Sequence, residues 1–137
     1  MRPLWGLVVM CTLLLSVAVG AQMTDEYQNW MKSNATLVTD LNKNLTAKSG
    51  DAAVMDAKTL EENMAKVLIY WQTRDVNDGV RFSLDTKYGF AQVALLASQG
   101  KFDEASAALK MTQANCAGCH MAHREKAADG SFKIKLK

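Results

Sequence analysis

The stretch DAAVMDAKTLEENMAKVLIYWQT, residues 51–73, decides the fold class because its apolar residues recur at helical spacing. The apolar residues that share one face are Ala53, Ala57, Leu60, Met64, Val67, Leu68 and Trp71. Apolar residues three and four positions apart form a stripe along an α-helix, and that stripe is stable only when it packs against other elements. The stretch therefore predicts an amphipathic helix within a helical protein.

Three further segments have the same periodicity. They cover residues 24–47, 86–99 and 102–127, and the polar stretch TRDVNDGVRFSLDTK (73–87) is expected to connect the two pairs of helices. The one proline of the chain is Pro3, so no proline interrupts these segments. Four amphipathic helices of this length predict an all-α fold, an antiparallel four-helix bundle in a single domain of residues 22–137.

Residues 1–21, MRPLWGLVVMCTLLLSVAVGA, have the pattern of a signal peptide. One cation, Arg2, precedes an apolar run, and the segment ends on the small residues Gly20 and Ala21. We expect cleavage after Ala21, export to the periplasm and no stable membrane insertion afterwards. The alternative is a retained anchor, although the apolar run is shorter than the ~20 residues that span a bilayer. Cys11 is expected to leave with the signal.

The charge balance argues against nucleic acid as a partner. The formal net charge is +2, from 16 basic and 14 acidic residues. Proteins that bind nucleic acid usually carry a clustered excess of basic residues. We therefore expect no nucleic-acid partner.

The stretch ANCAGCHMAHR, residues 114–124, contains two of the three cysteines and both histidines. On a helix, Cys116, Cys119 and His120 stand at i, i+3 and i+4 and project from the same face. The sequence Cys-Ala-Gly-Cys-His has every specified residue of the c-type haem attachment motif. We therefore expect one covalently bound haem c near the C-terminus, held by the two cysteines with His120 on the iron.

Two other readings of these residues are less favoured. A thioredoxin-like dithiol lies in a strand–helix context, and no strand is predicted before Cys116. A structural zinc ion needs four ligands in a tetrahedron. Cys116, Cys119, His120 and His123 lie too close together on one helix to surround a metal ion in that way.

A second iron ligand must come from upstream of the motif. Only 17 residues follow His120, and their candidate ligands are Met121 and His123. Met121 adjoins His120, and His123 lies one turn along the same helix. Neither can reach the opposite face of a haem bound by His120.

The chain resembles the class II c-type cytochromes, the cytochrome c′ family, and is closest to the low-spin members in which a methionine ligates the iron. The C-terminal Cys-Ala-Gly-Cys-His and the Met31–Lys32 pair in the first segment carry this resemblance. The family also has a basic residue near a haem propionate where this chain has Arg124. The chain departs from the family at Tyr27, where an arginine is common. The resemblance implies a four-helix bundle and a homodimer.

Met31 is the expected sixth ligand, both from the resemblance and from its own chemistry. It lies on the apolar stripe of the first segment, and a thioether is a soft ligand that suits haem iron. A methionine on such a stripe also serves as ordinary core. Four other methionines compete with it for the role: Met23, Met55, Met64 and Met111.

Two further features lie near the C-terminus. His123 is expected to face solvent or a haem propionate. The tail SFKIKLK, residues 131–137, alternates apolar and basic residues like a short strand, and is expected to be mobile or lightly docked.

The sequence thus predicts a periplasmic electron carrier with redox proteins as partners and no enzymatic activity. Cys116 and Cys119 would hold the haem, His120 and Met31 would ligate iron, and Arg124 would contact a propionate. The main alternative is a five-coordinate cytochrome c′ that binds nitric oxide or carbon monoxide. A haem subunit anchored to a membrane complex is a third alternative, and it requires retention of the N-terminal segment.

Overall fold

The structure is a computed structural model that describes the backbone of residues 5–136 and the side chains of residues 25–136. It contains four helices, α1 (Trp5–Thr46), α2 (Gly50–Gln72), α3 (Asn77–Ser98) and α4 (Phe102–His123). Two short strands follow, β1 (Arg124–Lys126) and β2 (Phe132–Ile134), which pair antiparallel. The expected signal peptide, residues 1–21, lies outside the residues whose side chains are described.

The helices form the predicted all-α four-helix bundle. Connections of three or four residues join consecutive helices, so neighbours in the chain run antiparallel. α2 packs most closely on α3, and α3 on α4, whereas α1 packs mainly on α2 and touches α4 only sparsely. The bundle is therefore closed on three sides and looser where α1 faces α4.

The bundle core changes character along its length. One half of the bundle contains the C-terminal part of α1, the N-terminal part of α2, the C-terminal part of α3 and the N-terminal part of α4. These four segments pack through fully buried small and branched apolar side chains. Among them are Leu41, Leu45, Ala53, Ala57, Ala97 and Ala105. At the other end lie the rings of Tyr27, Tyr70 and Trp71, with centroids 4.3 to 5.8 Å apart. The aromatic end is the one that contains the C-terminus of α4.

The helix that the sequence predicted best is α2, whose bounds match residues 51–73 within one residue at each end. α1 starts at Trp5 rather than at residue 24. No proline follows Pro3, so the helix continues through the apolar segment without a break.

The predicted start of the third helix at residue 86 is wrong, because α3 begins at Asn77. The extra turns bury Gly79 and Ser83 rather than large apolar residues, so they leave no hydrophobic stripe in the sequence. The buried Ser83 hydroxyl donates a hydrogen bond to the Gly79 carbonyl oxygen at 2.7 Å. What the sequence predicted as a long loop is therefore a closely packed helix.

The predicted end of the fourth helix at residue 127 is also wrong. α4 ends at His123, and Arg124 has the extended backbone of a strand, with φ −120° and ψ 128°. The tail that alternates like a short strand forms β2, and it is docked rather than mobile, because it pairs with β1 through a turn at Gly130, whose φ of +85° favours glycine. The chain leaves the helix in order to form this hairpin.

Among the residues whose side chains are described, no helix is long and apolar enough to cross a membrane.

We expect Gly79→Ala to destabilise the fold, because a Cβ there would lie 2.6 Å from the Trp71 ring. Overpacking of this kind costs about 1–3 kcal/mol of unfolding free energy. The matched control is Gly50→Ala, whose Cβ would find its nearest neighbour at 3.7 Å, an ordinary contact. Urea denaturation measures both variants. A Gly79→Ala protein as stable as the Gly50→Ala protein would contradict the close approach of α3 to Trp71.

Candidate functional site: a cleft between the first and fourth helices

The last two turns of α4 carry Cys116, Cys119 and His120, all three half-buried. Both cysteines are free thiols. All three side chains line one cavity of about 330 Å³, so the single face predicted from their spacing is confirmed. The site is thus a helix face that presents two thiols and an imidazole to a partly open cavity.

Gly118, between the two cysteines, allows close packing against α3. A Cβ on Gly118 would lie 2.8 Å from the Phe82 ring, so α3 and α4 approach each other closely at this point. Phe82 also lines the cavity. Gly118 therefore allows α3 to form one wall of the cavity directly beside the cysteines.

The first cavity is apolar and contains no charged side chain. Each helix contributes to its wall, and the largest apolar contributors are Met31, Val38, Met64, Val67, Phe82 and Phe90. Its polar members are neutral and include Asn34, Ser83 and Thr86. An apolar space with a few polar groups is the usual setting of a bound small molecule or cofactor.

A second cavity of about 670 Å³ adjoins the first and has a different character. The two share five lining residues: Tyr27, Met31, Ala35, Cys119 and His120. The second cavity is also lined by three cations, Lys32, Arg124 and Lys133, and by no aspartate or glutamate. Together they form one cleft, apolar at its inner end and cationic at its outer end.

The surroundings of both thiols keep them protonated. Burial raises the pKa of Cys116, although the Thr86 hydroxyl lowers it in part. Burial, then Cys116 and Asp78, raise the pKa of Cys119 to about 11. A redox-active dithiol depends on a thiolate whose pKa is lowered. The thioredoxin-like alternative therefore has no support in this site.

His120 is neutral in these surroundings. Burial lowers its pKa, and the nearby Arg124 guanidinium lowers it further. A neutral imidazole has a free lone pair, which is the form that ligates a metal. His120 is therefore in the right protonation state to bind iron.

The described methionines differ sharply in their surroundings. Met55, Met111 and Met121 are exposed, and none of them lines the cleft. Met64 lines the first cavity, but the Asn34 amide donates a hydrogen bond to its sulfur at 3.6 Å. Met31 lines both cavities, as His120 does. Met23 lies outside the residues whose side chains are described.

Asn34 is a site residue that sequence reasoning missed, and Tyr27, noted in the sequence only for its departure from the family pattern, also lines both cavities. Asn34 lies one turn after Met31 and is fixed by the Asn63 amide, which donates to its side-chain oxygen at 2.9 Å. Burial, then Cys119 and Tyr70, raise the pKa of Tyr27, so its hydroxyl stays protonated. The spacing from Met31 could have placed both on the cavity side of α1, at i+3 and i−4.

Arg124 lies at the outer end of the cleft, as the first residue of β1 rather than within a helix. Its guanidinium lies over the Phe132 ring, 4.1 Å from the ring centroid. A guanidinium held against an aromatic face is oriented without losing its charge. Arg124 is therefore a fixed cation at the mouth of the cleft.

The expectation that His123 faces solvent is wrong, because its side chain is only 6% exposed. Its Nδ1 lies 2.8 Å from the Lys135 carbonyl oxygen, and its ring packs 4.7 Å from Trp71. Its Nε2 lies 3.0 Å from an Asp78 carboxylate oxygen, although the two are poorly aligned for a hydrogen bond. His123 therefore joins α4 to the C-terminal hairpin.

Within residues 25–136, no group of three or more histidine, cysteine, aspartate or glutamate side chains is arranged to hold a metal ion.

We expect Cys119 in the folded, cofactor-free protein to react slowly with iodoacetamide. With a pKa of about 11, its rate should keep rising up to pH 10. At pH 8 the reaction should be roughly 100-fold slower than in the urea-unfolded chain, because the unfolded thiol has an ordinary pKa. Peptide-resolved mass spectrometry follows the reaction of each cysteine. A rate that levels off near pH 7 would contradict the protonated thiol.

Comparison with known proteins adds no identification. No protein-family model, curated protein or solved structure matches the chain. The functional assignment therefore depends on the chemistry of the cleft.

Proposed function

We propose that this protein is a periplasmic electron carrier that holds one haem c in the cleft between α1 and α4. Cys116 and Cys119 would bind the haem covalently, and His120 and Met31 would be the two axial ligands of the iron. Arg124 would contact a propionate. The partners would be redox proteins, and no substrate would be transformed.

One observation carries this proposal: Met31 and His120, on different helices, line the same two cavities as Cys119. The sequence predicts the same methionine and histidine as the two ligands of the iron. A methionine on a helical stripe usually fills a core, but Met31 borders empty space next to the haem-binding motif. The two cavity volumes fall within the ~300–1,000 Å³ usual for bound small molecules and cofactors.

The cleft also fits the chemistry of a haem. Its apolar inner end matches a porphyrin ring, and its cationic outer end matches the two carboxylates on one edge of that ring. A zinc ion or another bare cation would find three positive side chains and no carboxylate at the outer end. The cleft therefore favours an amphiphilic, dianionic group.

The two free thiols suit covalent attachment. Each S–H would add across a vinyl group of the haem, so that a sulfur–carbon bond replaces the vinyl π bond and the thiol hydrogen goes to the neighbouring vinyl carbon. This addition consumes no oxidant. Because the thiols stand one turn apart on α4, both can be attached while His120 remains directed into the cleft.

The proposed ligands determine the type of activity. Haem iron supplies one-electron chemistry when it is bound, and a methionine ligand raises its reduction potential. If His120 and Met31 both ligate the iron, they would leave no coordination position for an exogenous ligand. The apolar side chains around Met31 would reduce the contact of the iron with water, which also raises the potential. These residues together favour electron transfer over gas binding.

Export to the periplasm rests on the signal-like residues 1–21, which lie outside the described side chains. The periplasm is where bacterial c-type haem is attached, so this expectation agrees with the proposed cofactor. Mass spectrometry of the mature N-terminus distinguishes a cleaved signal from a retained anchor.

We expect the oxidised wild-type protein to have a low-spin optical spectrum with a weak long-wavelength sulfur-to-iron band. Met31→Ala should lose that band and become high-spin, because no second axial ligand remains. The matched control is Met64→Leu, which removes the other methionine of the same cavity and should leave the spectrum unchanged.

Two outcomes would contradict the ligand assignment. A high-spin wild type that Met31→Ala leaves unchanged would favour the five-coordinate, gas-binding alternative. Loss of the sulfur band in Met64→Leu rather than in Met31→Ala would move the axial ligand to α2.

A further inference from the structure

The C-terminal hairpin is a built element rather than a mobile tail. β1 and β2 pair in register from Arg124 opposite Ile134 to Lys126 opposite Phe132. In the turn, the Ser131 backbone N–H and hydroxyl both donate to the Asp129 carboxylate, at 2.9 and 2.6 Å. Local hydrogen bonds of this kind fix the turn and the register of the strands.

Two hydrogen bonds attach the hairpin to the bundle. The Lys135 backbone N–H donates to the His123 carbonyl oxygen at 2.8 Å, and His123 Nδ1 lies 2.8 Å from the Lys135 carbonyl oxygen. Ile134 packs against the hydrophobic core. The far end of the hairpin is therefore fixed at the base of α4, directly beside the cleft.

The hairpin forms one wall of the outer cavity. Ser131, Phe132, Lys133 and Ile134 all line it, opposite Gln28, Lys32 and Ala35 of α1. The Phe132 side chain is 51% exposed, which is high for a phenylalanine. The Arg124 guanidinium lies over its ring. Because Phe132 lines the cavity, its ring can also contact an apolar group bound there.

The cations at the cavity mouth have no acidic partner there. Lys32 comes from α1, Arg124 from β1 and Lys133 from β2. Among the residues described, the ion pairs are Lys43–Asp40, Lys87–Glu61 and His123–Asp78, and none includes these three cations. Cations that lie close together repel one another, and an anion bound between them offsets this repulsion. The arrangement therefore points to an anionic group with an apolar body.

We propose that the hairpin is an integral wall of the haem site, an inference that rests on the proposed function. Phe132 covers the outer edge of the porphyrin ring and positions Arg124 beside one haem propionate. Lys32, on α1, binds the other propionate. Lys133 adds positive charge at the same mouth. Lys32 is thus a binding residue, and Phe132 is a positioning residue that acts through Arg124.

Both residues should affect the reduction potential. A cation near the iron favours the reduced state, which has one positive charge fewer, and it also keeps a nearby carboxylate ionised. The Phe132 side chain keeps water from the edge of the porphyrin ring, and exclusion of solvent raises the reduction potential of the haem. Loss of either side chain should therefore lower the potential.

The test uses the haem-loaded full chain with Lys32→Gln, Phe132→Ala and the control Lys126→Gln. Lys126 is an exposed hairpin cation that does not line the cleft. We expect Lys32→Gln to change the one-electron equilibrium constant roughly threefold toward the oxidised form, as for one charge lost near a protein surface. Phe132→Ala should shift it in the same direction, and Lys126→Gln should shift it much less.

The pH dependence of the potential separates charge binding from a general structural effect. Without Lys32, the propionate pKa should rise, so the inflection in potential should move to higher pH. Haem-loaded Lys32→Gln and Phe132→Ala proteins that behave like Lys126→Gln in both measurements would overturn this inference and leave the proposed function standing. A wild-type protein that binds no haem would overturn both.

Discussion

The structure depends on an uneven packing of its four helices. α3 meets α4 closely, because Gly118 admits the Phe82 ring beside the cysteines, whereas α1 packs on α2 and touches α4 only sparsely. Protein interiors are normally filled to crystal density, so an unfilled space of this size between helices is unusual. It lies where α4 presents two thiols and an imidazole. The fold therefore keeps open the volume into which its reactive residues project.

The electrostatics of the cleft follow from the same arrangement. Burial beside apolar side chains keeps the thiols protonated and His120 neutral. Where the cleft opens to solvent, α1 and the hairpin add cations. A neutral inner end and a positive outer end select a ligand with an apolar body and an anionic edge. The cysteines and His120 then account for how such a ligand would be attached and ligated.

Much of this could be predicted from the sequence, and the failures have physical causes. The α2 stripe and the Cys-Ala-Gly-Cys-His motif are local patterns, so both were found. The first turns of α3 could not be predicted because they bury Gly79 and Ser83, which carry no hydrophobic signal. The contact of Arg124 with Phe132 joins residues of two strands, and one sequence does not reveal which side chains meet. The cleft itself was beyond prediction, because no local pattern describes an empty space.

Intact-protein mass spectrometry tests the central claim most directly. The protein is produced in a periplasm that attaches c-type haem, and its mass is measured after denaturation, which removes any group that is not covalently bound. We predict a mass greater than that of the polypeptide by one haem, and no such increase when Cys116 and Cys119 are both replaced by alanine. A wild-type protein with the bare polypeptide mass would contradict covalent haem binding, and with it the assignment of the cleft as a haem site.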